Sequence, residues 1–233
     1  VLGVSCLGHE FVVFRGKKNG ELCIADAHCP HQGANLSVGG VVIDDCVRCP
    51  FHAWRFHTDG SVRELPGLDR LPKIRLGRWP VEERYGMIWT YFNADEPRCA
   101  PPYPIAQRAD IDSGELVYRG NYSPKDVHMH LIEFAENSVD FQHFAPLHGH
   151  MLVPWTQLRV PFTTVEHQAS WEPDAEHDHL AYFRNLATLK VFDKSVPRSS
   201  AQATITFYGP GGLIWFHFEV PDMGEILMLQ THS

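Results

Sequence analysis

The sequence predicts an α+β chain: an all-β N-terminal part followed by a part that pairs an antiparallel sheet with a helix. Three observations predict it. Short apolar segments broken by turn residues run from Val1 to about Phe92. The apolar period becomes helical across residues 128–145. Long alternating segments follow, among them residues 201–207 and 213–220, which read as strands.

In the first part, His9-Glu10, Lys18-Asn19-Gly20, Asp59-Gly60 and Tyr85-Gly86 separate candidate strands at 11–14, 22–25, 40–43, 54–56 and 87–92. Asn-Gly and Asp-Gly form hairpin turns because both residue types tolerate positive φ. Pro97, Pro101 and Pro102 mark a connection, so the domains are placed at 1–98 and 121–233 with 99–120 as linker. Residues 128–145 read as one helix, which Pro146 is expected to end.

Composition narrows the function. Hydrophobic residues at 44% and charged residues at 21% describe an ordinary globular chain. Lys+Arg 20 against Asp+Glu 28 leaves a net charge of −8, which argues against a general nucleic-acid binder. No apolar run reaches the roughly 18 residues of a membrane span. Fifteen His and six Cys supply many metal-ligand types, and two groups of them are organised.

The first group is Cys29-Pro30-His31 and Cys49-Pro50-Phe51-His52, with 17 residues between His31 and Cys49. Each motif offers one thiolate and one imidazole from a Pro-containing loop. Cys46, three residues before Cys49, keeps a structural zinc site on Cys29, His31, Cys46 and Cys49 open. The second group is Glu136, Asp140, His143 and His148. In one continuous helix the first three fall at i, i+4 and i+7, a single face, and a bend at Pro146 returns His148 towards His143.

The first group resembles a Rieske domain, whose pattern is C-x-H, about seventeen residues, then C-x2-H. The resemblance implies a [2Fe–2S] cluster with Cys29 and Cys49 on one iron and His31 and His52 on the other. Neutral imidazoles in place of thiolates raise the reduction potential. Ala34 and Phe51 stand where respiratory Rieske proteins carry an extra disulfide, so the chain is similar to the ferredoxin and oxygenase branch, suited to a reducing, intracellular compartment. Cys6, Cys23, Cys46 and Cys99 are expected to be free packed thiols, with Cys46 as a spare ligand.

With that domain upstream, the second group resembles the mononuclear iron motif of Rieske non-heme iron oxygenases: acidic residue, x3, Asp, x2, His, x4, His. The resemblance implies Fe(II) on His143 and His148, within a helix-grip-like catalytic domain. It gives Asp140 the role of bridging a Rieske His of one subunit to an iron-bound His of its neighbour; Glu136 and Asn137 match without a settled role. The family's third ligand is an Asp further along. Asp222 and Glu225 are not assigned to it, so the catalytic domain is expected to be incomplete at its C-terminus. His128 and His130 are expected to be structural and His177 and His179 solvated, while His217 faces either core or cavity.

Residues 33–40 (GANLSVGG), 85–92 (YGMIWTYF) and 136–149 are similar to the steroid-acting branch, first the Neverland-type cholesterol 7-desaturases and next the 3-ketosteroid 9α-hydroxylase oxygenases. The implied reaction is 7,8-desaturation of cholesterol to 7-dehydrocholesterol, using O₂ and electrons from NAD(P)H through a separate reductase. A steroid hydroxylase, a Rieske ferredoxin-like electron carrier and a zinc-ribbon module are the alternatives. The family implies a sterol or steroid substrate, a homotrimer, and endoplasmic-reticulum association through a segment absent from this chain.

Overall fold

The computed structural model describes residues 1–67, 70–123, 127–209 and 212–232. The chain divides into two compact units, Val1–Val117 and Tyr118–Ser233; the stretch read as linker, 99–120, straddles the division.

The first unit contains β1 (Leu2–Cys6), β2 (His9–Arg15), β3 (Leu22–Asp26), β4 (Val41–Ile43), β5 (Cys46–Arg48), β6 (Arg55–His57), β7 (Val62–Glu64), β8 (Arg78–Trp79), β9 (Glu82–Arg84) and β10 (Met87–Trp89). They form two four-stranded antiparallel sheets, β1-β2-β3-β8 and β4-β5-β6-β7, and a ribbon of β9 and β10. Strand β2 shows why the sequence folds this way. Phe11, Val12, Val13 and Phe14 are all buried because the strand is covered on both faces. Val12 and Phe14 pack with Cys23, Ala25, Val47 and Phe56, while Phe11 and Val13 pack with Ile24 and Trp79.

One expected turn moves. His9 and Glu10 lie inside β2, paired with Cys6 and Ser5. The turn is Leu7-Gly8, with φ of 51° and 74°, the two positive values that a tight hairpin twist requires. Tyr85-Gly86 makes the equivalent turn between β9 and β10, with φ of 56° and 71°. After β10 the chain stays with this unit. Arg98 pairs with Asp26, Tyr85 Oη donates to the Ala106 carbonyl, and a short helix α1 (Ala109–Asp112) follows.

The second unit contains α2 (Leu131–Val139), β11 (Thr163–Pro173), β12 (Leu180–Val191), β13 (Lys194–Ser195), β14 (Ala201–Tyr208), β15 (Leu213–Val220) and β16 (Gly224–Thr231). The strands form an antiparallel sheet ordered β11-β12-β14-β15-β16, with β13 paired to β12. Alternation sorts the residues onto two faces. The registers Ala169↔Asn185, Asn185↔Ala203, Phe183↔Ile205, Phe207↔Ile214 and Phe216↔Met228 put those residues on one mainly apolar face. Phe144 packs on that face against the cluster of Phe183, Phe207 and Ile214. The other face carries the ion pairs Lys190–Glu166, at 2.8 Å, and Arg184–Glu172.

The expected helix over 128–145 is shorter and breaks. It spans Leu131–Val139, and His130 caps it, Nδ1 accepting from the Ile132 N–H at 3.2 Å. Asp140 leaves helical geometry (φ −76°, ψ 93°) and caps a new 3₁₀ turn, Phe141–His143, accepting the Gln142 N–H at 2.9 Å. A π turn, Phe144–His148, follows. The cause is local: a short acidic side chain takes a backbone N–H that the helix would otherwise use. Pro146 therefore sits inside the π turn rather than ending a helix, at an early position where its missing N–H costs nothing. Glu136, Asp140 and His143 accordingly do not share one helix face. No helix among the described residues is long and apolar enough to cross a membrane.

Candidate metal centres

Two loops of the first unit repeat the same backbone design. The Cys29 N–H donates to the Ala34 carbonyl at 2.9 Å, and the Gly33 N–H returns to the Cys29 carbonyl at 2.8 Å. In the other loop the Cys49 N–H donates to the Trp54 carbonyl at 2.8 Å, and the Ala53 N–H to the Cys49 carbonyl at 3.2 Å. The residue four after each Cys has positive φ, 74° at Gly33 and 58° at Ala53. Gly33 adopts it freely. Ala53 pays roughly 1–2 kcal/mol for its Cβ, a cost that the loop's other contacts must cover.

The matched loops present matched donors. Cys29 and Cys49 are buried in the core, at 3% and 2% exposure, whereas His31 and His52 are exposed. The two imidazoles lie 4.9 Å apart between ring centroids, crossing at 75°. His31 also stacks on Trp54 at 4.3 Å and 9°. Burial pushes the Cys29 thiol up to about 11, and the adjacent Cys49 sulfur adds to this, against N–H groups of His31 and Gln32 that favour the thiolate. Two neighbouring thiolates in such a site need cationic charge between them. Two buried sulfurs and two exposed imidazoles fit a [2Fe–2S] cluster, in which Cys29 and Cys49 would hold one iron and His31 and His52 the other.

A single zinc ion fits less well. Among the described residues, the only group of three or more potential ligands within 4.8 Å of one another is His217, Glu219 and Glu225, so Cys29, His31, Cys46 and Cys49 do not surround one ion. The Cys46 sulfur lies 3.4 Å from His57 Nδ1 on the neighbouring strand β6. It is the free packed thiol expected of it, and nothing among the described residues places it as a spare ligand beside Cys49. Substituting Cys46 with alanine is therefore expected to leave the visible spectrum of the loaded protein unchanged; bleaching would make Cys46 a ligand. All six cysteines are free, and Phe51, at one of the two positions that carry the extra disulfide elsewhere, is 70% exposed.

In the second unit the structure brings His143 and His148 together, 5.5 Å apart between centroids at 67°. Phe144 stacks on His143 at 4.6 Å and lies 5.6 Å from Phe183, anchoring the turn to the sheet. His143 Nδ1 is buried without a hydrogen-bond partner among the described residues, and Asp140 Oδ2 stands 3.6 Å from it. His148 is held below the ordinary His pKa, first by burial and then by the neighbouring imidazoles of His143 and His167. A neutral imidazole is the form that ligates metal. The pair, with an orphaned ring nitrogen facing a carboxylate, fits a mononuclear iron held by two His and oriented by Asp140. Asp140 itself is largely exposed, and Glu136 and Asn137 are exposed.

Gly149 follows His148 directly and is buried; a Cβ there would meet the Ala145 carbonyl oxygen at 2.2 Å. Gly149→Ala should therefore displace His148 and weaken ferrous iron binding on the order of 10–100-fold, the range of disturbances one shell from a metal ligand. Unchanged iron affinity would show that the turn tolerates the shift. His217 lies on the polar face of the sheet, bonded to Glu225 at 3.0 Å, and so does not face the iron turn. His167, which the motifs do not mark, reaches that turn, and Asn185 reaches it through His167. His167 Nε2 lies 3.2 Å from the His148 carbonyl, and Asn185 Nδ2 lies 3.1 Å from His167 Nδ1.

Comparison with known proteins agrees with this geometry. Residues 1–75 match the Rieske [2Fe-2S] domain. Across 98% of its length the chain is 32% identical to cholesterol 7-desaturase nvd 1 of Ciona intestinalis, covering 49% of that protein. It is 36% identical to cholesterol 7-desaturase nvd of Drosophila melanogaster over 82% of this chain and 45% of that one. The chain thus spans about half the length of the curated relatives it matches. Dicamba monooxygenase bound to dicamba shares the fold at a TM-score of 0.68 and 18% identity, covering 99% of this chain and 67% of that chain. Pseudomonas putida CBB5 NdmA with caffeine does so at a TM-score of 0.63 and 22% identity, over 99% and 62%. The chain thus matches a Rieske [2Fe-2S] domain over residues 1–75, is similar along nearly all of its length to cholesterol 7-desaturases, and shares its fold with these solved structures.

Proposed function

We propose that the whole protein oxidises a sterol with O₂, most specifically by removing the 7,8 hydrogens of cholesterol, with electrons from NAD(P)H delivered by a separate reductase. One observation carries this reading: the relationship to cholesterol 7-desaturases is continuous over 98% of the chain and so includes both donor sets. Cys29, His31, Cys49 and His52 would hold the cluster, and His143 and His148 two positions of the mononuclear iron. When bound, the cluster supplies single electrons and the ferrous iron activates O₂.

The chain's own residues have distinct tasks. His31 and His52 are exposed and would hold the solvent-facing side of the cluster, while Cys29 and Cys49 would anchor it in the core. Asp140 orients His143 through its orphaned Nδ1 and, being exposed, is accessible to a Rieske His of a neighbouring subunit, as a homotrimer would require. The apolar face of the sheet, where Phe144 of the iron turn packs in one cluster with Ala169, Ile205 and Phe216, supports a flat hydrocarbon substrate. Endoplasmic-reticulum association belongs to the same proposal.

The test is incubation of the full-length protein with a reductase, NADPH and a sterol panel, followed by product mass spectrometry. Cholesterol losing two hydrogens supports desaturation. A product that gains one oxygen instead replaces desaturation by hydroxylation, and reductase-dependent electron flow with no sterol product replaces the enzyme by an electron carrier.

A further inference from the structure

We propose that His167 and Asn185 are positioning residues for the mononuclear iron, forming a hydrogen-bonded strut from the sheet to the backbone of His148. The inference rests on the reading of His143 and His148 as iron ligands and names the device that holds one of them in place.

A helical turn leaves its last carbonyls without partners. Here the two carbonyls at the end of the iron turn are both taken by β11. His148 O receives His167 Nε2–H at 3.2 Å, and Gly149 O receives the Val165 N–H at 2.9 Å. Donors two residues apart on one strand thus pin two successive carbonyls. Pinning both fixes the backbone on the C-terminal side of His148 and with it the direction of its ring.

The proton positions follow from the acceptor. A carbonyl only accepts, so the His167 proton sits on Nε2. In the neutral ring Nδ1 then accepts, and Asn185 Nδ2–H, 3.1 Å away on β12, is the donor it needs. Asn185 lies on the same apolar face, opposite Ala169 and diagonal to His167. It is 7% exposed, and its amide oxygen has no hydrogen-bond partner among the described residues. A buried amide with an unpaired oxygen is costly on an apolar face. What the amide does there is hold His167 in the single tautomer that can donate to His148. Phe144 packs 5.2 Å from the His167 ring and stacks on His143, so the strut and both iron imidazoles belong to one packed group.

Ferrous iron affinity separates this role from general packing. The full-length protein, cluster intact and freed of mononuclear iron by mild chelation, is titrated with ferrous iron and read by the EPR signal of its nitric oxide adduct. His167→Phe keeps the ring but removes the donor, and Asn185→Leu removes the tautomer control. Both are expected to bind iron about 10–100-fold more weakly, with cluster EPR and thermal unfolding close to wild type. His167→Gln, which restores an N–H towards the carbonyl, should recover most of the affinity. Wild-type affinity in His167→Phe overturns the proposal, and so does a His167→Gln variant as weak as His167→Phe. Should His167→Phe not fold, Asn185→Leu and His167→Gln decide in the same way. A wild-type protein that takes up no ferrous iron beyond its cluster overturns the iron reading itself, a result distinct from failure of the strut.

Discussion

Replacing Cys49 with alanine in the full-length protein is expected to give a colourless product without a cluster, unfolding at a clearly lower temperature. The sulfur is one of two buried donors, and it sits in the same core cluster as Val12, Leu36, Val47 and Phe56. Losing the metal group leaves both a void and an unpaired partner thiol in Cys29, whose pKa of about 11 reflects how dry that position is. Large-to-small changes in a packed core cost on the order of 2–5 kcal/mol, and loss of a metal that binds only the folded state adds to this. His52→Cys makes the informative contrast. His52 is exposed, so the fold should survive, and exchanging an imidazole for a thiolate should lower the reduction potential towards the roughly −400 mV of all-cysteine clusters. Visible absorbance and voltammetry check the pair. A brown Cys49→Ala protein would remove Cys49 from the ligand set.

His143→Ala is expected to have the opposite signature. The cluster, held by a separate compact unit, should keep its colour and EPR signal, while oxidation of substrate falls by more than about 100-fold. The lower bound follows from ligand chemistry: disturbing a group one shell beyond a metal already costs about 10–100-fold, and His143 touches the metal in this account. Steady-state turnover with reductase, beside a cluster spectrum of the same sample, makes the measurement. Intact turnover would take His143 out of the iron site.

Residues whose chemistry acts at fixed spacing were legible in the sequence. The two Cys/His motifs declare themselves because a cluster needs four donors on two tight loops, and Pro30, Gly33 and Pro50 mark the loops. Where neighbours compete for the same backbone group, reading failed. Asp140 ends α2 at Val139, six residues before the end expected at 145, because its carboxylate captures the Gln142 N–H. No periodicity in the apolar residues records that contest. The β1–β2 turn was misplaced onto His9-Glu10 although Gly8 was the better signal, since Leu7 at positive φ is an uncommon choice. Strand β5 was hidden because Cys46 and Cys49 invited reading as ligands, whereas Cys46 is a strand residue bonded to His57. His167 and Asn185 were missed for another reason: their partnership crosses two strands 18 residues apart. Alternation along β11 does put His167 on the face of Ala169, and that single signal was available.

The central claim is that one chain carries two different iron sites. Metal and sulfide analysis of the full-length protein, joined to EPR of its reduced form, tests it most directly. The account predicts about three irons and about two acid-labile sulfides per chain with the spectrum of a histidine-ligated [2Fe–2S] cluster, the third iron lost alone in His143→Ala. Two irons in both wild type and His143→Ala, or zinc without iron, would contradict it.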